Sequence, residues 1–97
     1  MAKGYWMTAY REILDADKLA AYVALAADAV QANGGRFLVR GGQMEPKEPA
    51  VAERTVLVEF DSYADALATY SSPAYQKALE ALDGGVVRDL RIVEGVD

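Results

Sequence analysis

Asn33-Gly34-Gly35-Arg36-Phe37-Leu38-Val39-Arg40-Gly41-Gly42 sets a short β-compatible run between two glycine pairs. The first pair closes a helix, because only residues tolerant of positive φ end one without strain. The second is the exit of a strand over Arg36–Arg40. Gln43 to Glu53 follows, carrying Pro46 and Pro49. Proline lacks an N–H and fixes φ, so this segment is a long loop and not a central strand. Arg54 to Phe60 (RTVLVEF) then reads as another strand. Two strands meet here with no helix between them, which breaks any simple strand–helix alternation.

Upstream, Gly4 to Arg11 is rich in aromatic and β-compatible residues and reads as the first strand. The helix after it is capped by Asp15, with Leu14 and Leu19 spaced as a hydrophobic staple and Asp17 complementing the dipole. Its apolar stripe is Leu19, Tyr22, Val23, Ala26 and Val30. Downstream, Ser62 and Asp65 have capping-box spacing, so a second helix opens there. Ser71-Ser72-Pro73 breaks it, and a third helix carries Tyr75, Ala78, Leu79 and Leu82 on one stripe. Asp83-Gly84-Gly85 ends that helix, and Val86 to Glu94 supplies the fourth strand. Both halves contain the pattern D-x-L-A-x-Y, as Asp17 to Tyr22 and as Asp65 to Tyr70. Two right-handed βαβ halves predict an α+β ferredoxin-like βαββαβ sandwich, antiparallel sheet order 4-1-3-2, with the helices on one face.

The chain has 97 residues, enough for one domain over 1–97. Ten Lys+Arg against 15 Asp+Glu give a net charge of -5, which disfavours nucleic acid and anionic membranes as partners. At 53% hydrophobic and 26% charged residues the composition is that of a folding chain. Zero Cys and zero His exclude disulfides, thiolate nucleophiles, Ser-His-Asp chemistry and every structural zinc class. Asp15/Asp17 and Glu45/Glu48/Glu53 read as helix-start and solvated loop charges, so neither a metal nor a cofactor is expected. Met1 to Arg11 lacks a continuous apolar h-region, and the apolar run Leu19 to Ala27 is far too short to span a bilayer. A cytoplasmic protein is expected.

Alternation sends Phe37 and Val39 to one face of the sheet and Arg36, Leu38 and Arg40 to the other. Val56, Val58 and Phe60 form the helix-facing set of the third strand. Thr55, Leu57 and Glu59 are left on the far side, joined by Arg91 and Val93 if Leu90 and Ile92 face the helices. The first strand adds either Trp6, Thr8 and Tyr10 or Tyr5, Met7 and Ala9. A four-stranded face presents about 300 Å², near the largest apolar patch a monomer shows. A second copy laid face to face is the simplest cover, so a homodimer is expected. Glu59 can pair opposite Arg36 or diagonally with Arg40, either to fix register or to line a pocket with Arg91.

Three features carry candidate chemistry. Arg40 before Gly41-Gly42 offers a bidentate fork where backbone can approach a carboxylate, although Gly-Gly is also an ordinary turn. Ser72, with Ser71 and the helix start at Pro73, is a possible anion site, although Ser-Pro capping accounts for the same residues. Trp6, Tyr10, Tyr22, Tyr70 and Tyr75 could wall a pocket for a planar ligand, with a phenol as donor or acid, and could equally be core. Glu59 is the one acid inside a strand between apolar residues: burial would make it a base, a close Arg would hold it ionised. The loop over 43–53 has the length of a segment that binds or gates.

Gly34 to Gly42, Val58-Glu59-Phe60-Asp61-Ser62-Tyr63, Tyr70-Ser71-Ser72-Pro73-Ala74-Tyr75-Gln76 and Ile92-Val93-Glu94-Gly95 together resemble the domain-of-unknown-function 1330 family. The resemblance runs from Gly4 to Gly95 and implies a dimeric α+β barrel. It implies no agreed activity. By analogy the wider superfamily adds cofactor-independent monooxygenases, lactone isomerases and haem-dependent members, and with no His here, His-dependent chemistry is not carried over. The expectation is a homodimeric small-molecule-binding domain with candidate ligand residues Arg40, Glu59, Tyr70, Ser72, Trp6 and Tyr10. The alternatives are a cofactor-independent monooxygenase or isomerase on a small aromatic or lactone-type substrate, and a structural or interaction protein with no pocket. A pocket of about 300 Å³ with converging Arg and Tyr groups would favour the first two.

Overall fold

Seven elements follow one another as β1 (Gly4–Ile13), α1 (Ala16–Ala32), β2 (Arg36–Arg40), β3 (Thr55–Phe60), α2 (Tyr63–Tyr70), α3 (Pro73–Leu82) and β4 (Val86–Glu94). They are seen in a computed structural model that describes residues 2–48, 50, 51 and 53–97. The expectations that fell on Met1 and Pro49 lie outside the described residues. The sheet order is β2-β3-β1-β4 with every pair antiparallel, the ferredoxin-like arrangement read from the other edge.

Local chemistry sets the element ends. Asp15 Oδ1 accepts from the N–H groups of Asp17 and Lys18, closing two of the free donors at the start of α1. Ser62 Oγ accepts from Asp65 N–H at α2, and Ser72 Oγ from Tyr75 N–H at α3, with Pro73 in the first turn. The D-x-L-A-x-Y pattern is not equivalent in the two halves. Asp17 sits two residues after its cap and Asp65 three after its own, so Leu19 turns partly inward while Leu67 is exposed. At 100° per residue, a one-residue offset moves a side chain off the buried stripe.

Trp6, Thr8 and Tyr10 are the helix-facing residues of β1 and lie in register with Val58 and Val56 on one side and with Ile92, Leu90 and Arg88 on the other. Trp6, Phe60, Tyr22 and Tyr75 form the aromatic centre of the core, with Trp6 and Tyr75 edge to face at 4.8 Å. Tyr5, Met7 and Ala9 therefore take the open face.

On β2 the alternation expected from the sequence fails at one residue. Arg36 and Phe37 oppose Glu59 and Val58, whereas Val39 and Arg40 oppose Leu57 and Val56. Leu38 is the extra residue of a β-bulge, which reverses the phase of everything after it. Arg40 thus lies on the helix side with Phe37, its Cζ 4.3 Å from the Phe37 ring centroid, and Val39 joins Arg36 on the open face. The assignment of Arg40 to the far side, and its diagonal pairing with Glu59, are both overturned by this one insertion.

The open face now reads in rows across the strands. Arg36, Glu59, Tyr5 and Val93 form one row; Val39, Leu57, Met7 and Arg91 the next; Thr55, Ala9 and Asp89 the third. Met7 is 47% exposed and Val39 41%. Among the described residues no helix is long and apolar enough to cross a membrane.

Candidate functional site

Arg40, Arg54 and Arg88 come from the end of β2, the residue before β3 and the start of β4, three chain segments that antiparallel pairing brings to one end of the sheet. Each is in phase with helix-facing neighbours: Arg54 with Val56 and Val58, Arg88 with Leu90 and Ile92, Arg40 through the bulge. Backbone bonds fix the corner, since Tyr10 N–H donates to Arg54 O at 2.9 Å and Gly41 N–H to Thr55 O at 2.9 Å. Gly41 adopts φ +70°, and a Cβ there would fall 2.6 Å from Arg54 Nη1. Glycine is what lets the guanidinium lie against the β2 exit.

The three arginines border a chamber between α1 and the sheet, walled by Trp6, Tyr10, Tyr22, Phe37 and Val58 and enclosing about 40 Å³. That is room for two or three water-sized atoms, well short of the 300 Å³ expected of a full ligand pocket. Arg54 also borders a second, open groove of about 450 Å³ lined by Ile13, Leu19, Gly41, Gly42, Met44 and Glu53. Arg54 is the residue common to chamber and groove.

Arg88 is the most heavily bonded group. Its Nη1 donates to the hydroxyls of Tyr10 and Tyr22, each at 3.1 Å, and its Nη2 to Tyr75 at 3.3 Å. The Tyr22 and Tyr75 hydroxyls share one proton between them at 2.7 Å. Cζ of Arg88 also lies 4.8 Å from the Tyr22 ring centroid and 5.6 Å from that of Tyr10. Burial works against the Arg88 charge, but the Tyr22 and Tyr75 oxygens outweigh it and hold the guanidinium above its ordinary value. Burial pushes the Tyr75 phenol well up, with Tyr22 adding to it, and pushes Tyr10 up against the pull of Arg88. The phenols stay protonated and act as hydrogen-bond donors.

Among the described residues none of these three arginines forms an ion pair; the pairs are Arg11–Asp89, Arg36–Glu59, Arg36–Asp61 and Lys47–Glu45. Arg54 Nε is buried with no hydrogen-bond partner. In an acidic chain, three unpaired guanidiniums at one chamber leave an excess of donors over acceptors.

Of the residues singled out from sequence, Arg40, Trp6 and Tyr10 meet at this chamber. Trp6 is a wall, its Nε1–H committed to Ala66 O at 2.9 Å. Glu59 lies on the opposite face, where Arg36 pairs with it at 3.0 Å and the Tyr5 hydroxyl donates to it at 3.1 Å. Tyr70 packs behind Trp6 and Tyr75, outside the chamber wall. Ser72 is spent on capping: it accepts from Tyr75 N–H and donates to Thr69 O at 2.7 Å. Sequence reasoning missed Arg54 and Arg88. The signal was present, because both are charged residues at the core-facing parity of strands otherwise filled there by Val, Leu, Ile and Phe.

Comparison with known proteins follows the fold. Residues 3–96 match the family model described as Domain of unknown function (DUF1330). Among solved structures the RPA0582 protein of Rhodopseudomonas palustris, of unknown function, superposes with a TM-score of 0.78 at 16% identity, over 99% of this chain and 84% of that one. A candidate antibiotic biosynthesis monooxygenase from Caulobacter crescentus CB15 gives 0.60 at 18% identity, over 99% and 91%. A dimeric ferredoxin-like protein of unknown function from Thermobifida fusca gives 0.61 at 13% identity, over 98% and 92%. At such identities the likeness is one of fold. No curated protein matches the chain.

Proposed function

Because the chain belongs to the DUF1330 family, whose description carries no activity, we propose a function from the chamber itself: a homodimeric domain that binds a small molecule between its sheet and α1. The observation that carries this is the convergence of Arg40, Arg54, Arg88 and the Tyr10 and Tyr22 side chains on one cavity, with a groove on the other side of Arg54. A domain built only to fold or to dock gains nothing from desolvating an unpaired arginine there, since burying a charge without a partner is costly.

The homodimer is supported by the open face. In its central row Val39, Leu57 and Met7 form an apolar stretch, with Val39 and Met7 exposed, that ends at Arg91, and it is flanked by the Arg36–Glu59 and Arg11–Asp89 pairs. Two such faces related by a two-fold axis bury the apolar row and leave the pairs at its border. The dimeric Thermobifida fusca protein shares the fold.

A second reading is a cofactor-independent enzyme, a monooxygenase or isomerase acting on a small aromatic or lactone-type substrate. Its support is the Tyr10 hydroxyl, which accepts from Arg88 and keeps its own proton for a bound oxygen atom, the kind of donor pair that steadies a developing oxyanion. Its fold is also that of the Caulobacter protein.

Fragment soaking into crystals tests the binding reading: density in the chamber beside Arg54 and Arg88 is the expected result, and a chamber that stays empty across the library refutes it. Turnover of an aromatic and lactone panel, abolished by Tyr10→Phe with the dimer intact, would establish the enzyme; binding without turnover leaves the domain a binder.

A further inference from the structure

We propose that the chamber binds the carboxylate of a small organic acid, the oxygens pointing inward and the acid's body leaving through the groove beside Arg54. This rests on the reading of the chamber as a small-molecule site and names the class of molecule.

Three observations carry it. The first is the donor count. Arg40 and Arg54 make no side-chain hydrogen bond among the described residues, Arg54 Nε is buried and unpartnered, and the Tyr10 hydroxyl accepts from Arg88 while its proton has no acceptor. Of the Tyr22 and Tyr75 protons one is used between them and one is spare. Arg54 Nε is cut off from water and lacks an acceptor, Arg40 beside it is exposed and free to turn toward a ligand, and no carboxylate of the described residues pairs with the three arginines. An acceptor-only ligand with a negative charge completes the site.

The second observation is size. A space of about 40 Å³ suits a compact headgroup and not a bulky one. A carboxylate is three heavy atoms; a phosphate or sulfate is five. The planar group keeps both oxygens toward the guanidinium forks, which match it in geometry.

The third is the exit. The groove that shares Arg54 carries the side chains of Ile13, Leu19 and Met44 together with Glu53 and the Gly41-Gly42 backbone, so an aliphatic or aromatic body fits it better than a second anionic group.

The experiment is a calorimetric titration of the full chain with benzoate and hexanoate, each against its amide, and with inorganic phosphate. Saturable binding of the acids, at least 10-fold tighter than the amides, with no competing phosphate site, is the expected result. Arg54→Met should weaken benzoate at least 10-fold, and Arg40→Met serves the same purpose if Arg54→Met does not fold. Arg11→Met, whose partner is Asp89 on the open face, should leave benzoate binding unchanged. Equal binding of acid and amide would overturn the carboxylate assignment and leave the small-molecule reading standing. Phosphate that displaces benzoate would overturn it in favour of a general oxyanion site. If neither acid nor amide binds and crystals soaked in both keep the chamber empty, the assignment and the reading beneath it fail together.

Discussion

Replacing Gly41 by alanine disturbs the mouth of the chamber without altering a single charge. Gly41 sits at φ +70°, and the new Cβ would stand 2.6 Å from Arg54 Nη1 and 3.2 Å from its Cζ. Two effects follow, and they separate. The left-handed backbone costs an L-residue about 1–2 kcal/mol, which in a domain of this size lowers Tm by on the order of 5–15 °C. The contact itself is relieved by moving the flexible end of Arg54 about 1 Å, so it adds little to that loss. It does displace the guanidinium from the chamber edge. One misplaced charge-assisted hydrogen bond is worth about 1.5–3 kcal/mol, so benzoate affinity should fall roughly 10- to 100-fold. Gly34→Ala is the control, since its φ is +82° and nothing lies within 4 Å of its Cβ. Urea unfolding of both variants should give matching losses of stability, and calorimetry with benzoate should separate them. If Gly41→Ala binds as Gly34→Ala does, Arg54 is not at the ligand and the account of the mouth is wrong.

Alkaline pH should destabilise the fold through Tyr10 and Tyr75. Burial holds both phenols above their ordinary value of 10.0, so above about pH 10 the unfolded chain releases protons that the folded chain keeps, and stability falls with pH by up to about 1.4 kcal/mol per unit for each. Urea midpoints from pH 8 to 11 read the slope, which Tyr75→Phe should reduce; a flat profile contradicts the burial. Met7→Lys puts a charge in the apolar row of the open face and should convert a dimer to a single-chain species in sedimentation at micromolar concentration, with benzoate binding retained. An unaltered dimer would place the interface elsewhere. Deleting Leu38 should restore regular β2–β3 pairing while keeping Val39 opposite Leu57 and Arg40 opposite Val56, so benzoate should still bind. Loss of binding in a folded variant would show that the bulge does more than set phase.

Element order, helix breaks and sheet topology were legible because each rests on local chemistry: Asp15, Ser62 and Ser72 cap as their types require, and Gly34 and Gly84 end helices at positive φ. Face assignment on β3 and β4 was legible for a similar reason, since period-2 patterns there run unbroken from Val56 to Phe60 and from Leu90 to Ile92. On β2 the same rule gave the wrong face for both Val39 and Arg40. A bulge leaves no mark in the residue types of RFLVR; it exists only against a partner strand, and sequence read one strand at a time cannot register it. Arg54 and Arg88 are a different omission, because their parity was visible and only their charge made them look like surface residues.

The bulge also changes what Arg40 can report. Were Arg40 on the open face beside Glu59, its replacement by alanine would perturb assembly and any pocket together, and the two could not be told apart. On the helix side of the sheet, with Phe37 under its guanidinium, it is separated by the thickness of the sheet from the Val39–Leu57–Met7 row. The charges are divided by face: Arg36 and Arg11, paired with carboxylates, and Arg91 lie on the open side, while Arg40, Arg54 and Arg88, without an ion pair among the described residues, lie on the other. Arg40→Ala in an intact dimer therefore isolates the chamber, and Met7→Lys with binding preserved isolates the interface. If either substitution abolishes both properties at once in a folded chain, the two faces are coupled, and the division of labour drawn from the register of β2 does not hold.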